Sequence, residues 1–137
     1  LSKLTRYQIS TRINLMVVIE PNLICRVPEC RLKQTLLNMI LNAANALGND
    51  EGTITIEARR MDQHINISVY DTGPGFSKDF LSKDIRPFMT ERSGGTGLGL
   101  AMVKRFVYDI GGKLYLSNTE PHGAKISITI PDDVIMS

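Results

Sequence analysis

Cysteine, charge of one sign and long apolar runs are all scarce in this chain of 137 residues. The only two cysteines, Cys25 and Cys30, match neither a disulfide framework nor a metal-ligand spacing with His64 or His122, so both are expected to be buried thiols. Lys and Arg number 16 against 14 Asp and Glu, a net charge of +2. No cluster of them answers a polyanion, which argues against nucleic acid as a partner. No apolar run reaches the ~20 residues of a membrane span, so no direct membrane contact is expected. The start, Leu1-Ser2-Lys3-Leu4, has neither an initiator Met nor a signal-peptide pattern and is read as the edge of a piece of a longer protein. Internal repeats, low-complexity tracts and a second domain are also lacking. What remains, 42% hydrophobic and 22% charged, is the profile of one soluble globular domain spanning 1–137, long enough to bury a core.

The periodicities place the elements. Residues 13–19 are β-branched and apolar, and Pro21 closes them; Asn22 to Val27 reads as a second short strand. Pro28 then opens a helix over about 29–47, stopped by Gly48-Asn49-Asp50, since Pro suits a first turn and Gly a helix end. Ile54, Ile56 and Ala58 alternate, as do Ile65, Ile67 and Val69, so 53–60 and 65–70 form a hairpin around Met61-Asp62-Gln63. Residues 71–97 hold five glycines and two prolines without sustained period, and 77–96 is expected to be mobile. A helix follows from about Gly97 to Ile110, then strands at 113–117 and 125–130. The sum is an α+β domain, a two-layer sandwich in which helices cover one face of a mixed sheet.

Three segments carry chemistry. On the first helix, Gln34, Asn38, Asn42 and Asn45 fall within about 80° at ~100° per residue. Apolar residues fill most of the remaining circumference, so this helix is expected to be buried nearly all round. Each Asn costs roughly 0.6 kcal/mol against Ala in a helix, so an aligned set needs a reason. It is read either as an uncharged solvated face or as a floor of amide oxygens for a hard cation such as Mg²⁺. Asp71-Thr72-Gly73-Pro74-Gly75-Phe76, at a strand end, is either a plain turn or a carboxylate with close-approach backbone for a flat polar ring. Gly94-Gly95-Thr96-Gly97-Leu98-Gly99-Leu100 runs into a helix and is either a hinge or an anion site of free N–H groups. No Gly-Lys-Ser/Thr follows, so it is not a Walker loop, and no strand precedes it as a dinucleotide fingerprint needs.

Taken in order, Asn38-x-x-x-Asn42, Asp71-x-Gly73-x-Gly75, Pro87-Phe88-x-Thr90 and Gly95-Thr96-Gly97-Leu98-Gly99-Leu100 are more specific than any one alone. The set resembles the histidine kinase catalytic domain of the GHKL ATPase superfamily, with its N box, two glycine boxes and F box, over about residues 11–131. Lys33-Gln34, Asp71-Thr72-Gly73-Pro74-Gly75 and Ala101-Met102-Val103 look most like the nitrogen-sensor type. The resemblance implies a Bergerat fold, with ATP held between the N-box helix and a mobile lid. It implies Asn42 as Mg²⁺ ligand and Asn38 beside the phosphates. It further implies that Asp71 accepts from the adenine amino group, that Gly73 and Gly75 line the base, and that Gly95, Thr96, Gly97, Leu98 and Gly99 form the phosphate end of the lid. Phe88 would pack that lid, and Thr90 belongs with it as a nucleotide-site residue. The implied reaction passes the ATP γ-phosphate to a histidine on a separate dimerisation domain of the same protein, and a response regulator follows. The fragment alone is then expected to be a monomer, and the full-length kinase a homodimer in the cytoplasm or anchored to the membrane from that side.

Departures from the family pattern matter as much. Many relatives carry Lys three residues after the Mg²⁺-binding Asn; here the place is Asn45, which is kept as a nucleotide-site residue. Arg92 is the candidate cation in its stead, since a guanidinium can clamp phosphate, the other reading being a solvent-facing loop Arg. Arg86 stands where Glu often precedes the F-box Pro, with no role assigned. Other branches carry Glu at the place of Asn38 to activate water, and an amide cannot act as a general base. His64 is followed by Ile65 and His122 by Gly123, unlike a phospho-acceptor histidine followed by an acidic residue, and both are expected at the surface. Two alternatives stay in view: a serine kinase of the anti-sigma-factor type, disfavoured by Asn38, and a nucleotide-sensing module without transferase activity, favoured only by Asn45.

Overall fold

The computed structural model describes residues 3–8, 11–82 and 98–131. In chain order the elements are β1 (Lys3–Gln8), β2 (Ile13–Ile19), α1 (Glu29–Leu47), β3 (Gly52–Met61), β4 (His64–Asp71), α2 (Lys78–Leu81), α3 (Leu98–Asp109), β5 (Lys113–Asn118) and β6 (Ala124–Pro131). The six strands make one sheet in the order β1-β2-β3-β4-β6-β5. Neighbours run antiparallel except β2 and β3, which are parallel. Parallel neighbours need a crossover, and α1 supplies it.

Period-2 alternation decides which face the helices cover. Ile65, Ile67 and Val69 of β4 stand opposite Ile130, Ile128 and Ile126 of β6, and Ala58 and Ile56 of β3 stand opposite Ile67 and Val69. These rows meet Met39, Ala43 and Leu47 of α1 and Val103, Phe106 and Val107 of α3 in a single core. The next inward position on β4 after Val69 is Asp71, so the apolar row ends in a carboxylate that is only 3% exposed. On the opposite face Ser68 and Ser127 share a hydrogen bond of 2.8 Å. Between the helices, Arg31 of α1 bonds Asp109 of α3 at 2.8 Å and lies over the Phe106 ring.

The sandwich and seven of the expected elements are present, with some differences. Residues 22–27 are not a strand. Leu23, Cys25 and Val27 do turn inward onto the core while Ile24 is 74% exposed, so the alternation is real. Among the described residues no strand lies alongside to complete a ladder, and Asn22 takes φ +65°. Burial in α1 follows one stripe, Thr35, Met39, Ala43 and Leu47, whereas Leu37 and Leu41 stand 47% and 49% exposed. A helix covering one sheet face has an outer side, and apolar residues on it do not make it inner. Cys25 is half-buried, enough to push its thiol pKa upward through desolvation, and Cys30 is exposed, so neither is the buried thiol expected. Two elements, β1 and α2, carry no strong sequence signal. The four residues of α2 start where the Ser77 hydroxyl accepts from the Phe80 N–H at 3.1 Å, and the Phe76 and Phe80 rings stack at 5.3 Å.

Candidate functional site

The site is built along a flank of α1, between its buried stripe and its exposed side. Asn38 and Asn42 lie one turn apart and are half-buried, with the Asn42 Oδ1 itself buried, while Asn45 is exposed. The Gln34 amide donates to Asn38 Oδ1 at 3.3 Å, so the amide stripe is linked along the helix. The first turn of α3 meets this stripe: a Cβ built on Gly99 would sit 3.9 Å from the Asn38 Cβ. The described end of the second glycine box therefore touches the N-box helix. Thr90, Arg92, Gly95, Thr96 and Gly97, with Arg86 and Phe88, lie outside the described residues, as does the side chain of Leu98. The segment 77–96, expected to be mobile, contributes Ser77 and α2 before it leaves them.

At the other end of α1 lies the first glycine box. Asp71 Oδ1 accepts the Gly73 N–H at 2.8 Å and the Ala124 N–H at 3.3 Å, both buried. A side chain at Gly73 would meet that same Oδ1 at 3.0 Å and the Ala46 carbonyl at 3.5 Å. Gly73 is thus needed for the chain to fold back over its own carboxylate and approach α1. Gly75 sits at φ +85°, and its Cβ would lie 2.9 Å from Asn118 Oδ1. Both glycines answer to protein atoms before any ligand is considered.

Three further residues hold this loop, and sequence reasoning assigned them no role there. The Thr53 N–H of β3 donates to Thr72 Oγ1 at 3.0 Å. Asn118, the last residue of β5, accepts the Phe76 N–H and donates to the Phe76 carbonyl, each at 2.8 Å. His122, a surface residue as expected, places Nδ1 3.1 Å from the Gly73 carbonyl, to which it donates. These contacts join residues 19 to 49 positions apart, and no local spacing could signal them. His64 opens β4 at the end opposite Asp71, far from the loop.

The arrangement therefore has two ends. A buried carboxylate among backbone donors marks one, and a strip of amides against a helix N-terminus marks the other. Asn38 and Ala46, which touch the two glycine boxes, are eight residues and ~12 Å apart along the helix axis. Among the described residues no group of three or more His, Cys, Asp or Glu is placed to hold a metal, and no helix is long and apolar enough to cross a membrane.

Residues 28–134 match the family model described as histidine kinase-, DNA gyrase B- and HSP90-like ATPase. The sensor histidine kinase ZraS of Salmonella typhi is 40% identical over 102 residues, which is 74% of this chain and 22% of that protein. The chain thus spans about a fifth of the length of such relatives. Among solved structures, the nucleotide-free catalytic domain of histidine kinase ThkA superposes with a TM-score of 0.77 at 30% identity, covering 88% of this chain and 80% of that one. Full-length ShkA in complex with AMPPNP gives 0.74 at 29% identity, covering 91% and 27%. The sheet order, the convergence of both glycine boxes on α1 and these likenesses agree: the chain belongs to the histidine kinase-, DNA gyrase B- and HSP90-like ATPase family, as a catalytic domain of the sensor histidine kinase kind.

Proposed function

We propose that this chain is the Mg-ATP-binding catalytic domain of a longer, two-component sensor kinase, and that it passes the γ-phosphate to a histidine on a separate dimerisation domain. The observation that carries the reading is the meeting of both glycine boxes with one helix, Gly73 beside Ala46 and Gly99 beside Asn38. AMPPNP bound to full-length ShkA, a relative in structure, supports an adenine nucleotide as the ligand.

Roles follow from chemistry. Asp71 is a buried acceptor, suited to the exocyclic amine of adenine and unsuited to the guanine carbonyl. Gly73 and Gly75 bring backbone up to the base. Asn42 fits a Mg²⁺ by donor type, since its buried carboxamide oxygen is the ligand atom that hard cations take alongside phosphate oxygens. Bound there, the cation would neutralise charge on the phosphates. Asn38 faces the N-terminal turn of α3, where Leu98 and Gly99 bring backbone N–H groups toward the same phosphates, and Asn45 stands one turn below. Thr90, Arg92, Gly95, Thr96 and Gly97 are proposed to complete the phosphate side, with Arg92 as its cation. Positioning and charge neutralisation carry such a transfer, so the acceptor domain supplies the nucleophile. A response regulator would then take the phosphate onward.

Mixing the chain with its cognate dimerisation domain and labelled ATP tests the whole reading. The expected product is an acid-labile, base-stable phosphate on the partner's histidine. A stable phosphoserine would favour the serine kinase alternative, and ATP binding without any transfer would favour the nucleotide sensor.

A further inference from the structure

We infer that Asn118 is a positioning residue for nucleotide recognition: by clamping Phe76 from both sides it holds the Asp71–Gly75 loop in its base-binding shape. The inference rests on the ATP-site reading above and extends it to a residue of the opposite hairpin.

A loop with two glycines has much backbone freedom to lose, and a buried carboxylate can read a base only if that loop stays still. Anchors fix the segment in turn. At its start Thr53 holds Thr72, and Asp71 Oδ1 holds Gly73. At its end Asn118 makes a two-point contact, accepting from the Phe76 N–H and donating to the Phe76 carbonyl at 2.8 Å each. A planar amide that bonds both groups of one residue fixes the orientation of that peptide as well as its position. Its Oδ1 also lies where a Gly75 side chain would go, so the clamp and the left-handed glycine are fitted to each other. Beyond the clamp, Phe76 is buried and stacks on Phe80, so the held peptide is continuous with the core.

Asn118 is itself exposed, although both of its bonds are partly buried. Its removal therefore opens no core cavity, and its effect should fall on the loop rather than on the fold. Asn118→Asp keeps the acceptor for the Phe76 N–H but turns a carboxylate oxygen, with no hydrogen to donate, against the Phe76 carbonyl. Asn118→Ala loses both bonds. Ser117→Ala, one residue earlier on the outward face of β5, is the control.

Calorimetric titration of wild type and the three variants with ATP, ADP and adenosine is the test, with thermal melts alongside. Asn118→Ala should bind all three about five- to tenfold more weakly, as expected for two lost hydrogen bonds to a loop. The loss should be alike for adenosine and ATP because it arises at the base. Asn118→Asp should bind at least as weakly as Asn118→Ala, because an acceptor then faces an acceptor, and Ser117→Ala should match wild type. Wild-type affinity in Asn118→Ala or in Asn118→Asp would overturn the inference and leave the ATP site standing. If the wild-type chain binds no adenine nucleotide, the site reading falls and this inference with it. A melting point lowered as far as that of a core variant such as Ile128→Val, with that variant also binding weakly, would make Asn118 merely structural.

Discussion

At Asp71 one oxygen already serves the protein. Oδ1 takes the N–H groups of Gly73 and Ala124, so it orients the carboxyl and turns the chain back on itself. An Asp71→Asn substitution can keep those bonds through its own Oδ1. It then presents an N–H₂ group where the carboxylate presented an acceptor. The expected result is ATP binding weakened by ~1.5–3 kcal/mol, the range for a hydrogen bond to a charged group, with selectivity shifted toward GTP, whose ring carbonyl accepts. Calorimetry with both nucleotides checks it, and unchanged preference for ATP would mean that adenine is read elsewhere. Asn42 makes the complementary case at the phosphate end. Outer-shell partners of a metal already change affinity by 10–100-fold, so Asn42→Ala should weaken Mg²⁺-dependent ATP binding by about tenfold or more. Affinity measured in EDTA should change little, and an equal loss with and without Mg²⁺ would make Asn42 a packing residue. Both residues were legible in the sequence because an Asn on an apolar helix or an Asp ending an apolar strand is out of keeping with its surroundings. Asn118 was not legible, since an Asn at a strand end is ordinary and its partner lies 42 residues away.

The elements that sequence placed best are those whose period is sustained. The bounds of α1, Glu29–Leu47, follow from Pro28 before it and Gly48 after it, and β2 coincides with 13–19. Burial was less legible than type: Leu37 and Leu41 look like core in the sequence, and only the sheet position shows that α1 has an outer side. Met39 is on the inner side with no exposed surface, so Met39→Ala should cost about 2–5 kcal/mol in denaturant unfolding, against little for Leu41→Ala. Helix α1 is tied to α3 by a charge as well as by packing. The Arg31 hydrogen bond, with Arg105 assisting, holds the Asp109 carboxyl below its ordinary pKa of 3.8. A folded-state pKa depressed in this way adds stability above pH 3.8 and loses it as pH falls through the lower, folded value. Asp109→Asn should therefore melt earlier than wild type at pH 7. The gap should close in strong acid and shrink with salt, because the pair is partly exposed. A gap that persists unchanged at low pH would show that packing, not ionisation, is what Asp109 supplies.

Across the whole molecule the two ends of the site separate binding from chemistry, and this separation makes a last expectation sharp. Hydrolysis needs a base to activate water beside the γ-phosphate, and the group proposed for that place, Asn38, is an amide already accepting from Gln34. Self-phosphorylation needs a histidine at the same end, and neither candidate is there. His64 starts β4 in the row of Ser68, on the sheet face opposite the one the helices cover. His122 lies at the base end, its ring engaged with the Gly73 carbonyl. The chain on its own should therefore bind ATP, turn it over very slowly, and acquire no acid-labile phosphate. A sensitive phosphate-release assay, with mass spectrometry of the chain under basic conditions, measures both. Asn38→Glu supplies a carboxylate at the right turn of α1 and should raise hydrolysis if water can reach it from that side. Rapid turnover by the wild-type chain would mean that a base other than Asn38 serves the phosphate end. Phosphate on His122 would mean that the γ-phosphate lies toward Gly73, reversing the orientation assigned to the nucleotide.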